Sequence, residues 1–163
     1  MPVIEPGQPA PAFSLPDQHG TVHTLAGYAG RPLVIYFYPK DDTSGCTKEA
    51  CTFQETLPRF DRSKAAVLGV SVLGTDSKAK FAKKYGLSFP LLADEDHAVS
   101  ERYGAWQQKS MYGRKYMGIA RITYLIGPDG TVAQRWDSVK PAEHPADVLA
   151  AIEALSSGTK ARR

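Results

Sequence analysis

The chain has 163 residues, enough for one domain around a single hydrophobic core. Hydrophobic residues make up 42% and charged residues 23%, ordinary for a globular protein, and a net charge of +3 gives no argument for a nucleic-acid partner. No apolar run approaches the roughly 20 residues that span a bilayer, so no membrane association is expected. The proline-rich segment 1–13 has neither the basic nor the apolar stretch of a secretory signal, which makes a cytoplasmic location the default expectation. The two cysteines, Cys46 and Cys51, are too few for a disulfide scaffold. In a reducing compartment such a close pair is expected to be catalytic or metal-binding rather than structural.

Residues 10–25 alternate apolar positions (Phe13, Leu15, Val22, Leu25) around Asp17-Gln18-His19-Gly20, the pattern of an N-terminal β-hairpin. Residues 31–39 form a continuous apolar, β-branched and aromatic run that reads as a buried strand ended by Pro39. A polar loop over 40–45 leads to a helix over about 46–60. There Ala50, Phe53 and Leu57 recur at helical spacing, Thr43 or Ser44 can cap, and Glu49 is expected in the first turn. Residues 65–72 read as a second buried strand and 77–85 as a helix closed by Gly86. A short strand over 90–93 and a helix over 96–103 follow. Residues 120–126 and 131–136 flank the hairpin turn Gly127-Pro128-Asp129-Gly130, and 146–155 form a final amphipathic helix. The order predicts one α/β domain spanning 1–163, with its core at about 4–155 and a short basic tail at 156–163. A central mixed sheet is flanked by helices.

The segment from Tyr38 to Cys51 concentrates the chemistry. A cysteine at a helix N-terminus meets unpaired N–H groups and the positive end of the macrodipole, which favour its thiolate, the nucleophilic form. Lys40 and Lys48 add positive potential. Thr43 can donate to the sulfur or to a bound peroxide, and Pro39 can shield the sulfur without offering a competing N–H. Cys51 lies five residues on. Along an intact helix this spacing separates the Cα atoms by roughly 8–9 Å, beyond what a disulfide tolerates. Closing the pair therefore requires the first turns to unwind. If the pair closes, the expected sequence of events is attack by Cys46, a sulfenic acid on Cys46, local unfolding, condensation with Cys51, and reduction by an external dithiol.

Pro39-x-x-x-Thr43-x-x-Cys46 resembles the signature of peroxiredoxins. The longer run Thr43-Ser44-Gly45-Cys46-Thr47-Lys48-Glu49-Ala50-Cys51 is similar to the Q-type subgroup, the bacterioferritin comigratory proteins. Further likeness lies in Gly69-Val70-Ser71, Phe89-Pro90-Leu91-Leu92 with Asp94, Tyr112-Gly113, and the segment 118–126 around Arg121. The resemblance covers about residues 4–155. It implies a thioredoxin-like fold and reduction of hydrogen peroxide and organic hydroperoxides, with thioredoxin or a similar dithiol as the partner. It also implies a catalytic arginine at Arg121, a supporting role for Glu49 in the hydrogen-bond network, no cofactor, no metal, and a monomer. Val72-Leu73 depart from the family's usual residues.

Other readings compete with this one. A thiol–disulfide oxidoreductase would usually carry Cys-x-x-Cys, not the wider spacing here. A zinc module would need ligands beyond two cysteines. A redox-regulated chaperone has no specific support. Trp106, Tyr112 and Tyr116 are expected in the core or in a pocket wall. His19, His23, His97 and His144 are expected at the surface or in turns.

Overall fold

The computed structural model describes residues 3–137 and 143–161, with backbone alone for 156–161. The N-terminal hairpin forms as its turn chemistry dictates. β1 (Ser14–Pro16) and β2 (Val22–Thr24) pair antiparallel, and the Asp17 carboxylate accepts from the backbone N–H groups of His19 and Thr21 to hold the turn. The run Leu-Val-Ile-Tyr-Phe has no polar alternation and becomes β3 (Leu33–Phe37), buried at every residue. Then follow α1 (Ser44–Arg62), β4 (Ala66–Ser71), α2 (Thr75–Tyr85), β5 (Leu91–Ala93) and α3 (Ala98–Arg102). β6 (Trp106–Met111), β7 (Arg114–Ile119), β8 (Ile122–Ile126), β9 (Val132–Asp137) and α4 (His144–Ala161) complete the chain.

The central sheet has the order β5-β4-β3-β8-β9, with β3, β4 and β5 parallel and β8 and β9 antiparallel. Its two faces carry two cores, because successive side chains of a strand point to opposite sides. Val34 and Tyr36 pack with residues of α1, α2 and α4, among them Phe53, Phe60, Phe81, Val148 and Ile152. Leu33, Ile35 and Phe37 pack with Phe13 and Leu15 of the hairpin segment and with Val99 and Tyr103. This is the thioredoxin-like arrangement that the resemblance implies. It leaves the loop between β3 and α1 at the carboxyl end of a central strand, where sites in such sheets form.

The structure corrects several expectations. α1 begins at Ser44, so Glu49 sits in the second turn, and no acid occupies the first. α4 begins at His144 and its backbone continues to Ala161, past the expected end at Leu155; Arg162 and Arg163 lie outside the described residues. The β6–β7 hairpin is an element that periodicity missed, because most of its residues face water and no apolar face patterns it. Its tip is Tyr112-Gly113, both with positive φ (52° and 79°), as a two-residue type I′ turn demands. Tyr112 is therefore not core but 99% exposed, Tyr116 is 43% exposed, and both line a shallow surface cavity with Met111, Arg114 and Lys115. Trp106 is half-buried, stacked on His97 at 4.1 Å. His144 is no surface residue: it is buried and hydrogen-bonded to Thr123 Oγ1 at 2.7 Å.

Candidate active site

β3 ends at Phe37, and the chain turns through Tyr38 and the half-buried Pro39 into the loop that opens α1. Thr43 takes the N-cap position with extended backbone, but its hydroxyl does not cap the helix. It donates to the Lys40 carbonyl at 3.0 Å, which leaves its oxygen able to accept. Cys46 is the third residue of α1 and is 1% exposed. Its sulfur thus lies within the first turn, where the helix offers N–H groups without intrahelical partners.

Arg121, immediately before β8, reaches across to this turn. Its Nη2 donates to Cys46 Sγ at 3.0 Å and its Nη1 donates to Glu49 Oε1 at 3.0 Å. One planar guanidinium thereby holds the sulfur and a carboxylate at once, a geometry that lysine's single ammonium cannot reproduce. Glu49 lies three residues after Cys46, on the same face of α1, and is fully buried. Burial pushes its carboxyl up to about 7, against the Arg121 guanidinium that pulls it down. Gly45 makes the approach possible: a Cβ there would stand 2.8 Å from Arg121 Nη2. Sequence reading passed over Gly45, although glycine is a poor choice inside a helix unless something must come close.

Lys40 and Lys48 are both exposed, and Lys78 of α2 and Lys109 of β6 also interact electrostatically with the sulfur. Lys78 is the unexpected one, with a fully buried side chain. Its Nζ donates to Ser71 Oγ at 2.5 Å, to Tyr38 Oη at 3.3 Å and to both oxygens of Asp41 at 3.3 Å. Burial pulls the Lys78 ammonium down, and the Asp41 carboxylate opposes this. The lysine-rich sequence of this helix gives no signal that one of its lysines is buried.

Cys51 lies on the same helix, half-buried, and both cysteines are free. Burial, then the Glu55 carboxylate one turn on, push its thiol up. Val72 and Leu73 lie half-buried between β4 and α2. No group of three or more potential metal ligands occurs among the described residues, and no helix there is long and apolar enough to cross a membrane.

The model of the AhpC/TSA family matches residues 6–135. A putative peroxiredoxin bcp of Coxiella burnetii is 42% identical, covering 90% of this chain and 97% of that protein. Peroxiredoxin Bcp of Xanthomonas campestris is 46% identical, covering 90% of this chain and 92% of that one. Among solved structures, the X. campestris bacterioferritin comigratory protein, described for its alkyl peroxide reduction activity, aligns with a TM-score of 0.86 at 42% identity, covering 92% and 98% of the two chains. A mutant of Xylella fastidiosa PrxQ aligns with a TM-score of 0.90 at 34% identity, covering 96% and 99%.

Proposed function

Because the chain belongs to the AhpC/TSA family, as a peroxiredoxin of the Bcp/PrxQ type and thus a thiol peroxidase, we propose that Cys46 is its peroxide-attacking thiolate and Cys51 the thiol that resolves it. The observation that carries this reading is the double grip of Arg121, Nη2 on Cys46 Sγ and Nη1 on Glu49 Oε1. It sets a guanidinium charge against the sulfur and presents donors where charge develops as the O–O bond breaks.

In the first step the Cys46 thiolate attacks one peroxide oxygen. An S–O bond forms, the O–O bond breaks, and the departing oxygen takes a proton to leave as water or alcohol. Cys46 is then a sulfenic acid. Thr43, its proton engaged by Lys40, is positioned to accept from the peroxide O–H, and Pro39 walls the sulfur. Arg121 stabilises the leaving oxygen, and Glu49 orients Arg121. In the second step the Cys51 sulfur attacks the sulfenic sulfur, water leaves, and the disulfide forms. Both cysteines lie on one continuous helix, so α1 unwinds from its N-terminus for this step. A thioredoxin-type dithiol then restores the thiols through a mixed disulfide. The substrates are hydrogen peroxide and organic hydroperoxides, the latter in keeping with the alkyl peroxide activity of the Xanthomonas relative. With the resolving thiol on the same helix no second subunit is required, and the reading is of a single-domain monomer in a reducing, cytoplasmic compartment.

The test is stopped-flow peroxide consumption by pre-reduced protein, with thiols mapped by mass spectrometry. Wild type consumes one equivalent rapidly and gains a Cys46–Cys51 link with a smaller far-UV helical signal. Cys46→Ser is inactive. Cys51→Ser attacks once and stops at the sulfenic acid. Arg121→Lys loses roughly 10²–10³ in the second-order rate constant, as expected for a lost donor to the developing charge. Equal consumption by Cys46→Ser, or an unchanged helical signal on full disulfide formation, overturns the assignment.

A further inference from the structure

Two consecutive aspartates of the loop before α1 are gripped from the same helix, α2. Asp41 is buried. It accepts from Tyr38 Oη at 2.5 Å and from Ser77 Oγ at 2.7 Å, and it pairs with the buried Lys78 Nζ at 3.3 Å. Asp42 faces outward and accepts from Lys84 Nζ at 2.9 Å and Tyr85 Oη at 2.7 Å. Its backbone is held at φ 58°, a left-handed conformation that an aspartate tolerates but does not prefer. None of these contacts touches the reacting atoms. Together they pin the chain just upstream of Thr43 and Cys46. While they hold, only the segment from Thr43 onward is free to rearrange when α1 unwinds, and a short stiff segment closes on Cys51 reluctantly.

We propose that α2 acts as a latch on the Cys46 loop, gripping Asp41 through Ser77 and Lys78 and Asp42 through Lys84 and Tyr85, and that the strength of this grip sets how the Cys46 sulfenic acid is partitioned. One branch is condensation with Cys51, which forms the S–S bond and releases water. The other is attack on a second peroxide, which gives the sulfinic acid and a second alcohol or water. Ser77, Lys78, Lys84 and Tyr85 are positioning residues for the second step, not catalytic ones. This inference rests on the reading of Cys51 as the resolving thiol.

The experiment follows the sulfenic acid in time by quenched-flow mass spectrometry and titrates the peroxide needed to convert half of Cys46 to the sulfinic acid. Ser77→Ala combined with Tyr85→Phe removes one hydrogen bond from each aspartate and leaves the buried ion pair intact. This variant should form the Cys46–Cys51 link faster, on the order of tenfold, and need proportionately more peroxide to be overoxidised. Lys78→Gln should show the larger effect if it folds. A Val99→Ala control, with its cavity in the core on the other face of the sheet, is expected to lower the melting temperature and leave the partition unchanged. An unaltered partition in the folded double variant overturns the latch. So does an equal acceleration in the Val99 control, which would make the effect one of general stability. Absence of the disulfide in wild type is a different failure: it removes Cys51 as the resolving thiol and leaves the latch without a step to control.

Discussion

At the scale of single residues, the site depends on a close approach that only glycine permits. Gly45 interrupts a helix's first turn with the poorest non-proline helix former, and alanine there would strengthen the helix by about 1 kcal/mol. The alanine Cβ would, however, meet the Arg121 guanidinium at 2.8 Å, and the guanidinium is the end of a flexible side chain that can swing away. Gly45→Ala is therefore expected to fold normally and to lose roughly tenfold to hundredfold in the rate constant for peroxide, because a displacement of about 1 Å is enough to misalign a donor. Stopped-flow kinetics beside a thermal melt measure both; an unchanged rate would remove the steric argument. Cys46 and Thr43 drew attention through residue type and spacing, and Arg121 through the family resemblance alone. Gly45 did not, because its role is defined by a side chain from β8's approach, far away in the chain.

At the scale of elements, the strongly periodic or wholly apolar segments declared themselves, and the exposed hairpin did not. β3, β4 and β8 are buried along nearly all their length, so an unbroken apolar run was a sufficient signal. The β6–β7 hairpin has no such run, and what specifies it is the turn, Tyr112-Gly113. Tyrosine at positive φ is an unfavourable choice where asparagine is preferred. Tyr112→Asn is expected to raise the hydrogen-exchange protection of β6 and β7 amides and to leave peroxide turnover within twofold of wild type, since the ring is solvent-exposed. A large loss of activity toward bulky hydroperoxides would instead place Tyr112 in contact with the substrate.

At the scale of the whole molecule, His144 ties the N-terminus of α4 to the sheet and to α1. Its ring bonds Thr123 of β8 and packs edge-on against Phe53 of α1 and Trp136 of β9. Burial pulls its pKa down to about 4, with the Asp147 carboxylate opposing. The unfolded chain thus binds a proton that the native state refuses between about pH 6.5 and 4. Stability is complete above pH 6.5 and falls as pH drops through that window, by about 3 kcal/mol from this group alone. Glu49 has the opposite sign. Its raised pKa makes the native state the better proton binder between about 4.5 and 7, so its contribution is greatest at low pH and is lost as pH rises. Urea unfolding across pH should show the acid-side loss in wild type and its absence in His144→Gln. Identical slopes in the two would mean that His144 is not held neutral by the fold.

The amino-acid sequence by itself determined the α/β class, the run of alternating strands and helices, the place of Cys46 at the opening of α1, and the type of reaction. Each of these is written in local pattern: apolar runs, caps and breakers, and a motif whose residues are close in the chain. Tertiary structure alone decided that Arg121 grips Cys46 and Glu49 together, that Lys78 and not Lys40 or Lys48 lies buried beneath the loop, and that Tyr112 faces water. It alone decided that His144 is buried. The physical reason is the same in each case. A side chain's charge state, exposure and partners depend on what folding brings against it from distant parts of the chain, and periodicity along one element says which face it presents but not what that face will meet.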